Sequence, residues 1–297
     1  MDLLHRARLR AREITIVVPR PTRQSLSLVS RAYLDHLSMA LRYYTWNWKR
    51  FLANQLKSQQ VDVVLDVGAN SGQYATGLRR AGFKGRIVSF EPLSGPFSFL
   101  ERKASEDPLW DCRQCALGDT DGTISINVAA NAGQSSSALP MLKFLEEALP
   151  AQNYIGTEEV PIYRLDSVAP EILRPNDVTF LKMDVQGFEK QVIAGGKSTI
   201  NDRCVGMQIE MSLLPLYEGE MLIREALDLV YSLGFMLTEL VPGSRDIRNG
   251  RMLQADGIFF REEPPSAPVA AQRHGSFGDP TALFESGWTL WPPHRGT

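Results

Sequence analysis

The feature that most constrains this chain is a short apolar run that ends in a glycine turn. Residues 61–67, VDVVLDV, are β-branched and apolar, as a strand buried on both faces of a parallel sheet should be. They run straight into Gly68-Ala-Asn-Ser-Gly72 and then into a helical pattern from Gln73 to Ala81, stopped by Gly82. Ser71 is placed to cap that helix. Strand, glycine turn and helix in this order make the first unit of an open α/β sheet, which binds ligands at its carboxyl edge.

The rest of the chain repeats the alternation. Strands are predicted at 86–90, 110–117, 123–129, 160–165, 178–184, 205–210, 235–240 and 257–260. Helices fall at 94–104, 188–194 and 218–233. This predicts an α/β fold of Rossmann-like, class I type, with a mostly parallel seven-stranded sheet and helices on both faces. Residues 1–60 read as an Arg-rich arm followed by helix over 25–57, and 61–262 as the α/β domain itself. Residues 263–297 read as an irregular tail rich in Pro, Gly and Ser, in which Phe277, Phe284, Trp288 and Trp291 can dock locally.

Composition excludes several classes. With 43% apolar and 22% charged residues the chain is of ordinary globular make-up. A net charge of −2 argues against a nucleic-acid binder. No apolar run reaches the roughly 20 residues of a membrane span, and the first residues lack a signal-peptide core, which points to the cytoplasm. Cys112 and Cys115 form a lone CxxC without two further ligands at zinc spacing, so they and Cys204 read as reduced thiols.

The first turn speaks to the ligand. A dinucleotide fingerprint is GxGxxG, built for a pyrophosphate. Here the glycines, Gly68 and Gly72, are spaced GxxxG, and Asp66 stands two residues ahead. S-adenosylmethionine has a cationic sulfonium and an amino-acid end but no phosphate, so an acid in this turn suits it better. Glu91 ends the second strand about twenty residues later, where an acid receives ribose hydroxyls in such folds. Asp119 follows the next strand, as a neighbour of the adenine or as a plain turn residue. Asp184 ends the strand 178–184. Lys182 lies two residues earlier on the same strand face. Glu189 falls in the first turn of the next helix, where it either joins the site or stabilises the helix end. Glu210 ends the following strand, near Asp184 if the strands are neighbours.

These residues carry a resemblance. The segments LDVGANSGQYA (65–75), SFEP (89–92), CALGD (115–119), the serines 135–137, RLDSV (164–168), FLKMDVQGFEKQVIAGG (180–196) and IEMS (209–212) resemble the FkbM-type methyltransferases, which use S-adenosylmethionine to methylate hydroxyl groups of polyketides and sugars. In particular they resemble mycobacterial members that O-methylate sugars of glycolipids. The resemblance implies that Asp66, Gly68, Asn70 and Gly72 line the cofactor site and that Glu91 binds the ribose. It places Asp184, Glu189 and Lys182 at the reacting end.

No histidine lies in any motif, so the expected base is Asp184, assisted by Glu210 or Glu189. Mg²⁺ held by Asp184 and Glu210, joined by Asp166, is a second and less favoured way to acidify the hydroxyl. A small-molecule or glycolipid acceptor is expected, chosen by the helix 25–57 and the loop 130–157. There Tyr43, Tyr44, Trp46 and Trp48 either stack on a sugar or pack the helix. The arginines of the arm offer contact with an anionic membrane surface, a solvated arm being the plainer reading. An NAD-dependent dehydrogenase and a non-catalytic cofactor-binding scaffold are the alternatives. The missing third glycine weighs against the first, and the intact Asp66, Glu91 and Asp184 weigh against the second.

Overall fold

A computed structural model describes residues 48–262. Of the predicted helical region, Trp48–Ser58 (α1) is a helix; the remainder, with the Arg-rich arm and the tail after 262, lies outside the described residues. The next elements are β1 (Val63–Val67), α2 (Gln73–Arg80), β2 (Arg86–Phe90), α3 (Ser94–Ala104), β3 (Trp110–Arg113), β4 (Ala116–Gly118), β5 (Gly122–Ala129), α4 (Lys143–Ala148) and β6 (Tyr154–Arg164). They continue with α5 (Leu165–Ile172), β7 (Thr179–Met183), α6 (Glu189–Gly195), α7 (Lys197–Arg203), β8 (Cys204–Ser212), α8 (Ile223–Ser232), β9 (Phe235–Pro242) and β10 (Gln254–Arg261).

Seven strands form one sheet in the order β3-β2-β1-β7-β8-β10-β9. The strands β3, β2, β1, β7 and β8 pair in parallel, and β10 runs antiparallel to both neighbours. The α/β class with a mostly parallel seven-stranded sheet is therefore as the strand–helix alternation predicts. Two apolar clusters cover the two faces. Leu65, Leu181, Met207 and Ile209 pack with Leu165, Val192, Ile200 and Val230 on one side. Val64, Phe180 and Ile258 pack with Leu52, Leu56, Leu78 and Leu100 of α1, α2 and α3 on the other. No helix among the described residues is long and apolar enough to cross a membrane.

Three local readings are corrected. The strand 110–117 is two strands, because the chain bends at Gln114 and β4 leaves the main sheet to join β6 and β5 in a second, three-stranded sheet. Ser71 does not cap α2; Gly72 takes the N-cap position at φ 77° with no side-chain bond. The helix predicted from 218 begins at Ile223, since Glu220 turns back to accept hydrogen bonds from the Leu216 and Tyr217 amides.

The period-2 alternation of the strands also gathers polar side chains at one place. On the face covered by α1, α2 and α3 the strands are apolar at one end and polar toward the carboxyl edge. Asp66, Lys182 and Gln208 are in direct register across β1, β7 and β8, and Glu210 is in register with Asp256 across β8 and β10.

Candidate functional site

The first turn crosses the carboxyl edge between β2 and β7. The Gly68 and Ala69 amides donate to the Phe90 carbonyl, each at 3.0 Å, and the Asp184 amide donates to Val67 O at 3.2 Å. Gly68 sits at φ +73°, and a Cβ there would fall 1.9 Å from the Asp184 carbonyl oxygen. A side chain at 68 thus meets both backbone strain and a backbone clash that no rotamer relieves. Gly68→Ala is expected to displace the turn from Asp184 and weaken cofactor binding at least tenfold, read by calorimetric titration; unchanged affinity would show that this contact is dispensable.

Glu91 is 5% exposed. Its Oε2 accepts the Asn70 amide at 2.7 Å and its Oε1 the Leu93 amide at 3.0 Å. Burial pushes its carboxyl up to about 7, against which those two amide bonds act. Each carboxylate oxygen keeps a lone pair for a further donor. Glu91, Gly68 and Asn70 line a cleft whose apolar walls include Leu93, Leu117 and Phe188. That mix of acceptors and apolar walls suits a nucleoside.

A second, polar chamber adjoins it, lined by Trp48, Lys49 and Tyr74 on the helix side and by Lys182, Gln208, Glu210, Gln254 and Asp256 on the sheet side. Asp184 and Gln186 line both spaces. Gln186, at φ 53°, holds the junction together. Its Nε2 donates to Asp184 Oδ1 at 2.8 Å and to Glu210 Oε2 at 2.5 Å. Its Oε1 accepts from the Tyr217 hydroxyl at 2.6 Å, and its carbonyl accepts from Ser137 Oγ at 2.6 Å. A strained non-glycine conformation held from four sides is over-determined by its surroundings, as functional turns are.

Burial, then the charges of Asp184 and Asp256, raise the Glu210 carboxyl well above the usual range, and it also accepts from Gln254 Nε2 at 2.7 Å. Burial and the Asp184 charge push Asp256 up to about 6.

Several expected site residues stand elsewhere. Asp66 does not line either space: it is fully buried, paired with Lys182 Nζ at 3.1 Å and bonded by Ser89 Oγ at 3.1 Å. Lys182 reaches the chamber wall, but its ammonium is committed to Asp66 and to the Gly68 carbonyl at 2.9 Å, with Asp184 Oδ2 at 3.8 Å. Burial would lower its pKa; Asp66 and Asp184 outweigh that and raise it. Glu189 faces inward rather than the chamber. It accepts the Val185 amide at 3.0 Å, and burial pushes it up to about 7. Asp119 is exposed in the turn after β4 and lines neither space. Gly72 lies against the Trp110 ring, below the turn.

Asp166 does not join Asp184 and Glu210. It accepts the Ser198 and Thr199 amides at the start of α7, and among the described residues no three His, Cys, Asp or Glu side chains are placed to share a metal ion.

Gln186, Tyr217 and Asp256 were missed. Asp256 carried a signal, being an acid inside the buried strand QADGIFF, and so did Gln186, which precedes a glycine in a strand-to-helix turn.

Comparison with known proteins bears on this arrangement. A family model described as the methyltransferase FkbM domain matches residues 66–237. The 2-O-methyltransferase NoeI of Sinorhizobium fredii is 29% identical over 177 residues, covering 57% of this chain and 71% of that protein. The methyltransferase sdnD of Sordaria araneosa is 28% identical over 153 residues, covering 44% of this chain and 59% of that protein. Among solved structures, a methyltransferase FkbM from Methylobacillus flagellatus KT superposes with a TM-score of 0.39 at 14% identity, over 66% of this chain and 43% of that one.

Proposed function

This chain belongs to the FkbM methyltransferase family, and from that premise we propose that it transfers the methyl group of S-adenosylmethionine to a hydroxyl of a sugar or similar polyhydroxylated molecule. One observation carries the reading: Asp184 stands where the apolar-walled cleft and the polar chamber meet. A nucleoside cofactor in the first and an acceptor in the second would present their reacting ends to the same carboxylate.

The cleft fits the cofactor by its chemistry. Glu91 has acceptor capacity for the ribose hydroxyls, Leu93, Leu117 and Phe188 offer apolar surface to the adenine, and the first turn lets the backbone approach closely. When bound, the cofactor supplies an electrophilic methyl group on a sulfonium, transferred by in-line displacement. Holding the partners in line is worth up to about 7–11 kcal/mol. Asp184 receives or orients the acceptor proton, and Gln186 fixes the Asp184 carboxylate by its 2.8 Å bond. Glu210, raised by burial and by the Asp184 and Asp256 charges, assists by holding Gln186 and Gln254, whose amides both donate to its Oε2. Glu189 braces the turn 184–189 from behind. The chamber's amides and carboxylates match an acceptor rich in hydroxyls, a class that includes the sugar of a glycolipid.

Titration with S-adenosylmethionine and with NAD, followed by transfer of labelled methyl to neutral glycosides, tests the reading. Binding of the first alone with label in an ether linkage is expected; preferential binding of NAD, or cofactor binding without transfer to any hydroxyl, would overturn it. Activity abolished by EDTA and restored by Mg²⁺ would favour the metal-assisted route instead.

The buried acids predict a pH signature. Glu91 accepts hydroxyl protons best when ionised, so cofactor affinity falls as pH drops through about 7, and Glu91→Gln, which cannot accept both backbone amides, loses at least tenfold and flattens the profile. The stability of the unliganded protein moves oppositely. Glu91 and Glu189 bind protons more tightly folded than unfolded, 4.5 rising to about 7. Their stabilising contribution is full below 4.5 and is lost as pH rises through about 7. Melting at pH 6 and pH 8, with and without cofactor, separates the two effects; a Glu91→Gln profile as steep as the parent's would refute the assignment.

A further inference from the structure

One cation in the polar chamber has no part in the transfer chemistry. Lys49, on the first turn of α1, lines the chamber with its neighbour Trp48 and with Tyr74. Its ammonium lies 5.3 Å from the centroid of each of those two rings, within reach of a cation–π attraction. Among the described residues no carboxylate comes within 4.0 Å of it, whereas Lys182 is ion-paired to Asp66.

The seat of Lys49 is built into α2. A Cβ on Gly77 would fall 2.6 Å from Lys49 Nζ and 2.8 Å from its Cδ. Glycine inside a helix is destabilising relative to alanine. Here that cost leaves room for a lysine side chain lying across the helix with its amine toward the chamber.

Resting on the O-methylation reading, we infer that Lys49, seated by Gly77, is a specificity-determining residue for the acceptor. Its ammonium donates hydrogen bonds to hydroxyl or ring oxygens of an uncharged polyol on the side of the chamber facing β10. The charge balance selects an uncharged acceptor. Asp184 and Asp256 line the same space; burial and the Lys182 charge lower the Lys49 ammonium, and the Asp66 and Asp256 charges oppose them. An acceptor bearing a carboxylate or phosphate would meet those acids with one unpaired cation in its favour. A neutral polyol finds donors and acceptors on both walls.

The test uses the full chain as parent, Lys49→Met, Lys49→Arg, Gly77→Ala and the Lys49→Met/Gly77→Ala double variant. Thermal melting confirms folding, and S-adenosylhomocysteine titration reads the cofactor site. Labelled-methyl transfer is measured on neutral mono-, di- and trisaccharide methyl glycosides and on the matching uronates. Cofactor affinity is expected within about twofold throughout. With the best neutral glycoside, Lys49→Met should raise KM at least tenfold with kcat within about threefold. Gly77→Ala should raise KM in the same direction while keeping the lysine, because its Cβ forces the Lys49 side chain to shift from its seat. The double variant should be no worse than either single one, as expected for two changes acting on one contact.

An unmoved KM in Lys49→Met would overturn the inference. So would a parental preference for uronates, which would make Lys49 an anion clamp. No transfer by the parent to any hydroxyl, with cofactor bound, would instead sink the O-methylation reading and this inference with it. Transfer with unaltered KM in the variants sinks the inference alone.

Discussion

Asp184→Asn is expected to lower turnover by about 10²–10⁴-fold, the usual contribution of a positioned base, while cofactor affinity stays within a few-fold. The substitution is nearly isosteric. It keeps the backbone contacts that matter to the first turn, because the Asp184 amide and carbonyl, not its side chain, meet Val67 and Gly68. The amide oxygen can still accept from Gln186 Nε2, so the junction stays assembled. What is lost is the anion 3.8 Å from Lys182 and the capacity to take a proton. Single-turnover transfer of labelled methyl, beside S-adenosylhomocysteine titration, reads the two consequences separately. Full turnover with intact binding would remove Asp184 from its role and shift attention to Asp256, which lines the chamber with Glu210.

Lys182→Met is expected to have the largest effect on stability. Removing one partner of a buried pair leaves the other charge uncompensated, at about 3–5 kcal/mol. Asp66 is fully buried, and Lys182 is 4% exposed. For a domain of this size that loss lowers the melting temperature by roughly 10 °C. Lys182 also holds the Gly68 carbonyl at 2.9 Å, so the first turn loosens and cofactor affinity falls with stability. Adding Asp66→Asn should return part of the lost stability, since it removes the stranded charge while leaving a group for Ser89 to bond. Restored stability without restored cofactor affinity would locate the binding effect in the Gly68 carbonyl contact. A Lys182→Met protein that melts with the parent would show that the ion pair contributes nothing net.

Most of the architecture was readable along the chain because it rests on local rules. The buried run 61–67, the glycine spacing after it and the alternation of strand and helix each depend on near neighbours. So does the pairing of Lys182 with Asp184 on one strand face, which comes from a two-residue period. Glu91 was legible as an acid at a strand end, and Asp184 likewise. Two of the expected site residues stand apart from the cleft and the chamber, each for its own reason. Asp66 was expected to face the ligand because it precedes the turn, yet strand alternation points it beneath the turn, toward a lysine 116 residues later in the chain. Glu189 was expected at the reacting end from its place in a motif, but the turn Gln186-Gly187, with φ of 53° and 96°, carries the chain over so that it braces Val185.

By itself, then, the sequence determined the sheet, the first turn, the strand-end acids and the family. Those rest on periodicity, backbone freedom and short-range order. Only the tertiary structure decided which polar side chains share a space. Whether a carboxylate is a buried partner, like Asp66, or a lining group, like Asp184 and Asp256, depends on register between strands distant in the chain. The same holds for the seat that Gly77 leaves for Lys49: no spacing rule reveals it, because it exists only where α1 crosses α2.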